Sequence, residues 1–289
     1  MNPAIEICSV SKSYGSFRLQ DINVTIPAGG ILGLIGQNGA GKTTLFKCIL
    51  NLIHRDSGSV RLPGVGMDIS SEKIRRLVGY VPERLAFYEW MTVDAALRFT
   101  SHFYENWDDG RCRDLIARYA LDPGKQISRL SMGMRKKLAL LQALAIRPRL
   151  LILDEPTSGL DPAMKFYFLQ DLRRIMDSGT AEAILISSHN LDEVERLVDS
   201  IAILRLGALQ FHETKHRFLE AWRKVEFTPP QGVEWMREFK DKVHLIEAGR
   251  AMIVTDEETG FLTRRLALLG ACAIEVERPS LQEIFLQVA

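Results

Sequence analysis

The octapeptide Gly36-Gln37-Asn38-Gly39-Ala40-Gly41-Lys42-Thr43 constrains this chain more than any other stretch. It fits G-x-x-x-x-G-K-[ST] and lies between an apolar run at 31–35, with the length of a buried strand, and a helical pattern expected over 42–53. Glycines let the backbone curl so that successive N–H groups point into one concavity. The following helix adds the partial positive charge of its N-terminus. Lys42 can reach β- and γ-phosphates, and the Thr43 hydroxyl can hold Mg²⁺. A Gly-rich turn matching this pattern by accident is expected in roughly one chain in a hundred.

A strand–loop–helix of this kind belongs to α/β proteins, and the rest of the chain reads the same way. Strand alternation covers 5–10 and 17–26. Apolar or strand-like runs follow at 150–153, 183–187 and 200–205, with helices expected over 163–178 and 191–197. Residues 93–104, 109–120 and 132–146 read as helices and interrupt the strands as an insertion. Strands alternating with helices imply a parallel sheet. After about residue 222 the pattern changes to a hairpin (243–248 and 250–255 around Gly249), a helix (259–269), a strand (271–277) and a last helix (281–288). This suggests a small α+β domain, with Pro229-Pro230 near its start.

Composition removes several function classes. Lys plus Arg number 37 against 36 Asp plus Glu, so no basic face for bulk nucleic-acid binding is expected. Cys8, Cys48, Cys112 and Cys272 are far apart and form no C-x-x-C, which argues against a zinc site or redox dithiol. Mostly buried thiols in a reducing cytoplasm are expected instead. The first residues show no signal-peptide pattern. The longest apolar stretch, 138–146, is interrupted by Gln142 and falls well short of the ~20 residues of a membrane helix.

The run 150–155 is an apolar strand ending in Asp154 and Glu155. Alternation along a strand would send the two carboxylates to opposite sides, fitting them for different tasks. Asp154 can bind Mg²⁺ through water, and Glu155 can orient or deprotonate an attacking water.

Pro156-Thr157-Ser158-Gly159-Leu160-Asp161 continues this acidic motif in the manner of the ATP-binding cassette (ABC) family. Leu130-Ser131-Met132-Gly133-Met134 resembles that family's signature, usually LSGGQ, and His189 in Ser187-Ser188-His189 resembles its switch histidine. Order and spacing agree across about residues 4–215. The resemblance implies a P-loop cassette over 1–220, with a parallel sheet core, an antiparallel β subdomain and a helical subdomain near 84–147, followed by an accessory domain over 221–289. It implies two cassettes paired head to tail, as a homodimer or with a second ABC ATPase, around two ATP molecules. The ATP contacts it implies are Gly36, Asn38, Gly39, Ala40, Gly41, Lys42, Thr43, Thr44 and Asp161 from one subunit and Ser131 and Gly133 from the other. Catalysis falls to Glu155, His189 and Lys42, and Mg²⁺ to Thr43 and Asp154. Ser131 also suits an ordinary helix N-cap. Tyr14 resembles the aromatic that stacks on adenine; the other reading is a surface or core tyrosine.

Two departures stand out. Met132 and Met134 replace the usual glycine and glutamine of the signature, while Ser131 and Gly133 remain. Val78-Gly79-Tyr80-Val81-Pro82-Glu83 resembles the loop leading into the helical insertion, with Glu83 where glutamine is usual. Glu83 is expected either at the metal or its water, or turned to solvent. Phe87, Tyr88 and Trp90 lie where such cassettes receive a transmembrane permease; packing under the helical insertion is the other reading.

The family resemblance therefore implies the ATPase subunit of a transporter, peripheral on the cytoplasmic face of the membrane. The segment 278–286 resembles the ending of ABC-2-type exporters. The alternative is a soluble ABC ATPase acting on nucleic acid or ribosomes. It is disfavoured by the short interval 44–130, the balanced charge and the single cassette.

Overall fold

The computed structural model describes residues 3–62, 66–67, 71–189, 191–230, 235, 239, 243–245 and 249–288. By its contacts the chain divides into two compact units, Met1–His212 and Glu213–Ala289.

The first unit begins with β1 (Pro3–Tyr14) and β2 (Phe17–Pro27), paired antiparallel. Then come β3 (Ile31–Ile35), α1 (Lys42–Ile49), β4 (Ser57–Leu62), β5 (Gly66–Met67), α2 (Ser71–Leu77) and β6 (Val78–Val81). The insertion holds α3 (Val93–Ser101), α4 (Asp109–Tyr119) and α5 (Met132–Ala145). The chain returns through β7 (Leu150–Leu153), α6 (Pro162–Asp177), β8 (Ala183–Ser188), α7 (Leu191–Leu197), β9 (Ser200–Arg205) and β10 (Ala208–Thr214). The sheet order is β5-β4-β1-β2-β10-β9-β3-β8-β7-β6. From β9 to β6 all neighbours are parallel, while β4-β1-β2 are antiparallel. The sheet is thus mixed, with a parallel heart.

The heart is explained by burial. Every residue of β3 and β7 is buried, so neither strand shows alternation and both read as continuous apolar runs. The registers Ile35↔Ser188, Leu153↔Ile186 and Leu153↔Val81 bring the carboxyl ends of β3, β8, β7 and β6 to one edge. In open α/β sheets that edge carries the ligand crevice.

Helix ends fall where the backbone turns left-handed. Helix α1 stops at Ile49 rather than residue 53, because Asn51 adopts φ 52° and Leu52 N–H closes onto Lys47 O at 2.9 Å. Ala120, at φ 51°, ends α4 in the same way. Two thiols, Cys48 and Cys112, are buried, and burial pushes each up to about 11. Cys8 and Cys272 are exposed, so the expectation of mostly buried thiols holds for only half of them.

In the second unit, α8 (Lys215–Ala221) leads to β11 (Arg223–Thr228), β12 (Val243–Leu245), β13 (Ala251–Thr255), α9 (Thr259–Leu268), β14 (Cys272–Glu277) and α10 (Leu281–Val288). Residues 246–248, expected to extend the first hairpin strand, lie outside the described residues. The sheet order is β12-β13-β11-β14, antiparallel throughout. Val225, Phe227, Ala251, Ile253 and Leu266 form its apolar interior, and Trp235 meets Phe227 edge-on at 5.6 Å.

Candidate active site

The loop after β3 is held open for an anion by steric and electrostatic means. Gly41 sits at φ 111° immediately before α1, where a Cβ would meet Phe17 Cζ at 2.8 Å. Only glycine satisfies both the dihedral and the space. The first turn of α1 carries no side-chain cap and no acidic residue. Its N–H groups are therefore left to whatever enters the loop. Asn38 and Gly39 are exposed, Ala40 is buried, and Thr44 is half-buried just inside the helix.

Lys42 is buried and turns its ammonium back into the loop, donating to Gly36 O at 2.6 Å. The same nitrogen lies 3.3 Å from Glu155 Oε1. That oxygen is buried and accepts no hydrogen bond, so it meets Lys42 through charge alone. One residue on, Thr43 donates its hydroxyl to Asp154 Oδ2 at 2.7 Å.

The acid pair is separated by a turn and not by strand alternation, because β7 ends at Leu153. Glu155 takes φ 46°, the left-handed region, at a cost of about 1–3 kcal/mol that its surroundings must offset. The two carboxylates nevertheless acquire different partners, as expected. Asp154 accepts from Thr43 and, at Oδ1, from the Ser187 hydroxyl at 2.7 Å. Glu155 faces His189, whose Nδ1 lies 2.7 Å from Oε2.

The structure thus brings Lys42, Thr43, Asp154, Glu155 and His189 into one bonded cluster at the end of the parallel strands. Ser131, Gly133, Asp161 and Tyr14 stand outside it. Ser131 caps α5, accepting from Met134 N–H at 3.3 Å, while Gly133 is buried beside Met164. Asp161 caps α6 through Met164 N–H at 2.9 Å. Tyr14 is exposed, with Lys12 Nζ 5.3 Å from its ring centre. Glu83 is exposed too, and its charge is felt at Tyr80 and Lys136.

Two residues of the cluster escape sequence reasoning. Ser187 ties the pair together, donating to Asp154 and accepting from Glu155 N–H at 2.9 Å. Lys136 is 2% exposed and donates to Glu155 O at 2.8 Å. Its helical spacing from Gly133 and Leu140, both buried, is the signal that marks it as inward-facing.

These residues fit a nucleotide with its ion. An uncapped helix start and a glycine loop suit phosphate oxygens, and the Thr43–Asp154 pair offers the hard oxygen ligands Mg²⁺ prefers. Among the described residues no group of three His, Cys, Asp or Glu could hold a metal alone. An ion here would share its shell with phosphate and water, the usual habit of Mg²⁺.

Comparison with known proteins gives the following. The family model described as "ABC transporter" matches residues 19–158. The "Uncharacterized ABC transporter ATP-binding protein YdbJ" of Bacillus subtilis (strain 168) is 36% identical over 212 residues, covering 72% of this chain and 68% of that protein. The "Nod factor export ATP-binding protein I" of Rhizobium sp. (strain N33) is 27% identical over 300 residues, covering 99% of this chain and 96% of the relative. The solved "Structure of ATP binding subunit of ABC transporter" superposes with a TM-score of 0.66 at 29% identity, covering 74% of this chain and 93% of the other.

Proposed function

The chain belongs to the ABC transporter family as an ATP-binding, ATP-hydrolysing subunit, and on that premise we propose how its residues divide the work. Gly36, Asn38, Gly39, Ala40, Gly41, Lys42, Thr43 and Thr44 bind the phosphates, and Tyr14 stacks on the base. Glu155 orients and deprotonates the attacking water, and His189 holds the Glu155 carboxylate in line. Thr43, Asp154 and, directly or through water, Glu83 would hold Mg²⁺. When bound, the ion would supply charge neutralisation for the triphosphate. Ser131 and Gly133 complete the pocket of a second cassette, while Asp161 serves the pocket of its own subunit. The ATPase domain is proposed as residues 1–220 and the accessory domain as 221–289, whereas the compact units divide earlier, after His212.

The observation that carries these roles is the pair of crossed contacts, Thr43 to Asp154 and Lys42 to Glu155, which join the phosphate loop to the acid pair. Glu155→Gln tests it. ATP binding is expected to persist, hydrolysis to fall at least ~100-fold, and an ATP-bound dimer to accumulate on size exclusion. Unchanged turnover removes Glu155 from its role.

We further propose that the partner is a transmembrane permease and the direction export. No helix among the described residues is long and apolar enough to cross a membrane. Tyr88, Trp90, Phe99 and Phe103 are exposed and form a run of ring contacts at 6.1, 5.7 and 5.2 Å. Beside them lies a cavity of about 290 Å³ lined by Val78, Pro82, Leu85, Phe87 and Tyr104 among others. Exposed aromatics next to an apolar recess suit a helix of a membrane subunit. Arg135 ties this region to the signature helix through both oxygens of Glu89, at 2.5 and 2.9 Å. The full-length match to a protein named for export supports the direction.

A further inference from the structure

We propose that Lys136 is a positioning residue for Glu155, fixing the left-handed peptide on which the carboxylate is aimed. The inference rests on Glu155 being the base that handles the attacking water.

Glu155 has φ 46° without being glycine, so neighbours must hold its backbone in place. Two side chains do so, beside the Ser158 N–H that also donates to the Glu155 carbonyl at 3.2 Å. Ser187, from β8, accepts its N–H at 2.9 Å, and Lys136, from α5, donates to its carbonyl at 2.8 Å. A lysine with 2% exposure is costly to bury unless its ammonium has partners. Burial pushes Lys136 down, while Glu155, Glu83 and Asp154 pull it up. Charged or neutral, the amine keeps an N–H for the carbonyl. The side chain of Glu155 then spans Lys42 at Oε1 and His189 at Oε2, so a rotation of its peptide would disturb both contacts. Lys136 sits on the helix capped by Ser131, so the clamp also ties that helix to the acid pair.

The test combines Lys136→Met, Glu155→Gln and the double variant of the full chain. For Lys136→Met, kcat for ATP is expected to fall about 100-fold while KM stays within about threefold. In the Glu155→Gln background the same change is expected to cost less than about threefold, because the residue it acts through is already disabled. The nucleotide-free protein gives a second reading. The imidazole ¹⁵N resonances of His189 are expected to shift in Lys136→Met, since the Glu155 oxygen facing Nδ1 moves. Should Lys136→Met fail to fold, Lys136→Gln keeps a donor on a shorter stem and carries the same readings with a smaller fall. Equal losses in both backgrounds, or kcat and His189 resonances unchanged by Lys136→Met, overturn the proposal. Glu155→Gln with undiminished turnover instead overturns the role of Glu155, and the His189 resonances then judge the clamp alone.

Discussion

In Met1–His212, beneath surface pairs such as Arg76–Glu105 and Arg149–Glu182, four charges lie in the interior: Lys42, Lys136, Asp154 and Glu155 are all buried, and each meets a side chain or a backbone carbonyl held in place beside it. In Glu213–Ala289 the charges run along one face of a sheet, partly shielded from solvent. Lys224 contacts Glu226, Glu277 and Glu283 at 2.9, 3.2 and 3.5 Å, and Arg250 contacts Glu226 and Glu275. The only buried polar residue described in that unit is Thr255. Burying a charge is expensive and is tolerated where partners are fixed beforehand. Surface pairs cost little and contribute little. The contrast sets a unit with charge in its interior beside one whose ion pairs lie along a sheet face.

The comparison can be broken at its strongest point first. Lys42→Ala removes a buried cation from the phosphate loop, and ATP hydrolysis is expected to fall on the order of 1000-fold, with nucleotide binding weakened. Turnover within tenfold of the unmodified protein would mean that interior charge is not what marks the working unit. Glu83→Gln probes an exposed carboxylate at the rim of the same unit. Its ATPase activity should stay within an order of magnitude, and complete loss of MgATP binding would move Glu83 into the core of the site. Lys224→Ala should have the smallest effect. Thermal or urea unfolding is expected to register about 1 kcal/mol or less, with ATPase activity unaltered. A loss above about 3 kcal/mol would place the ladder among structural cores.

How much of this was legible varies with the element. Strands β3 and β7 are buried on both faces and appear in the sequence as unbroken apolar runs, so both were placed to the residue. Strand β4, Ser-Gly-Ser-Val-Arg-Leu, is half exposed and acquires its identity from pairing with β1 some fifty residues earlier in the chain, which no local pattern reveals. The end of α1 was read too late, since Leu50, Leu52 and Ile53 continue the apolar pattern and only the left-handed Asn51 stops the helix. In the site, Lys42, Thr43, Asp154, Glu155 and His189 were found from motifs. Lys136 was not, because Arg135-Lys136-Lys137 looks like a solvated basic run until helical phase is considered. Ser187 stood in plain view beside His189, but its two bonds depend on how β7 and β8 align.

The side chains of the candidate pocket bond to one another and to its backbone. The Lys42 ammonium rests on Gly36 O and beside Glu155, and the Thr43 hydroxyl is already given to Asp154. On the proposed roles, a triphosphate and its ion would arrive by exchange, displacing these internal bonds as they form new ones. Affinity would then be a difference between two sets of contacts, and bonds that re-form behind the cleaved product would help it leave.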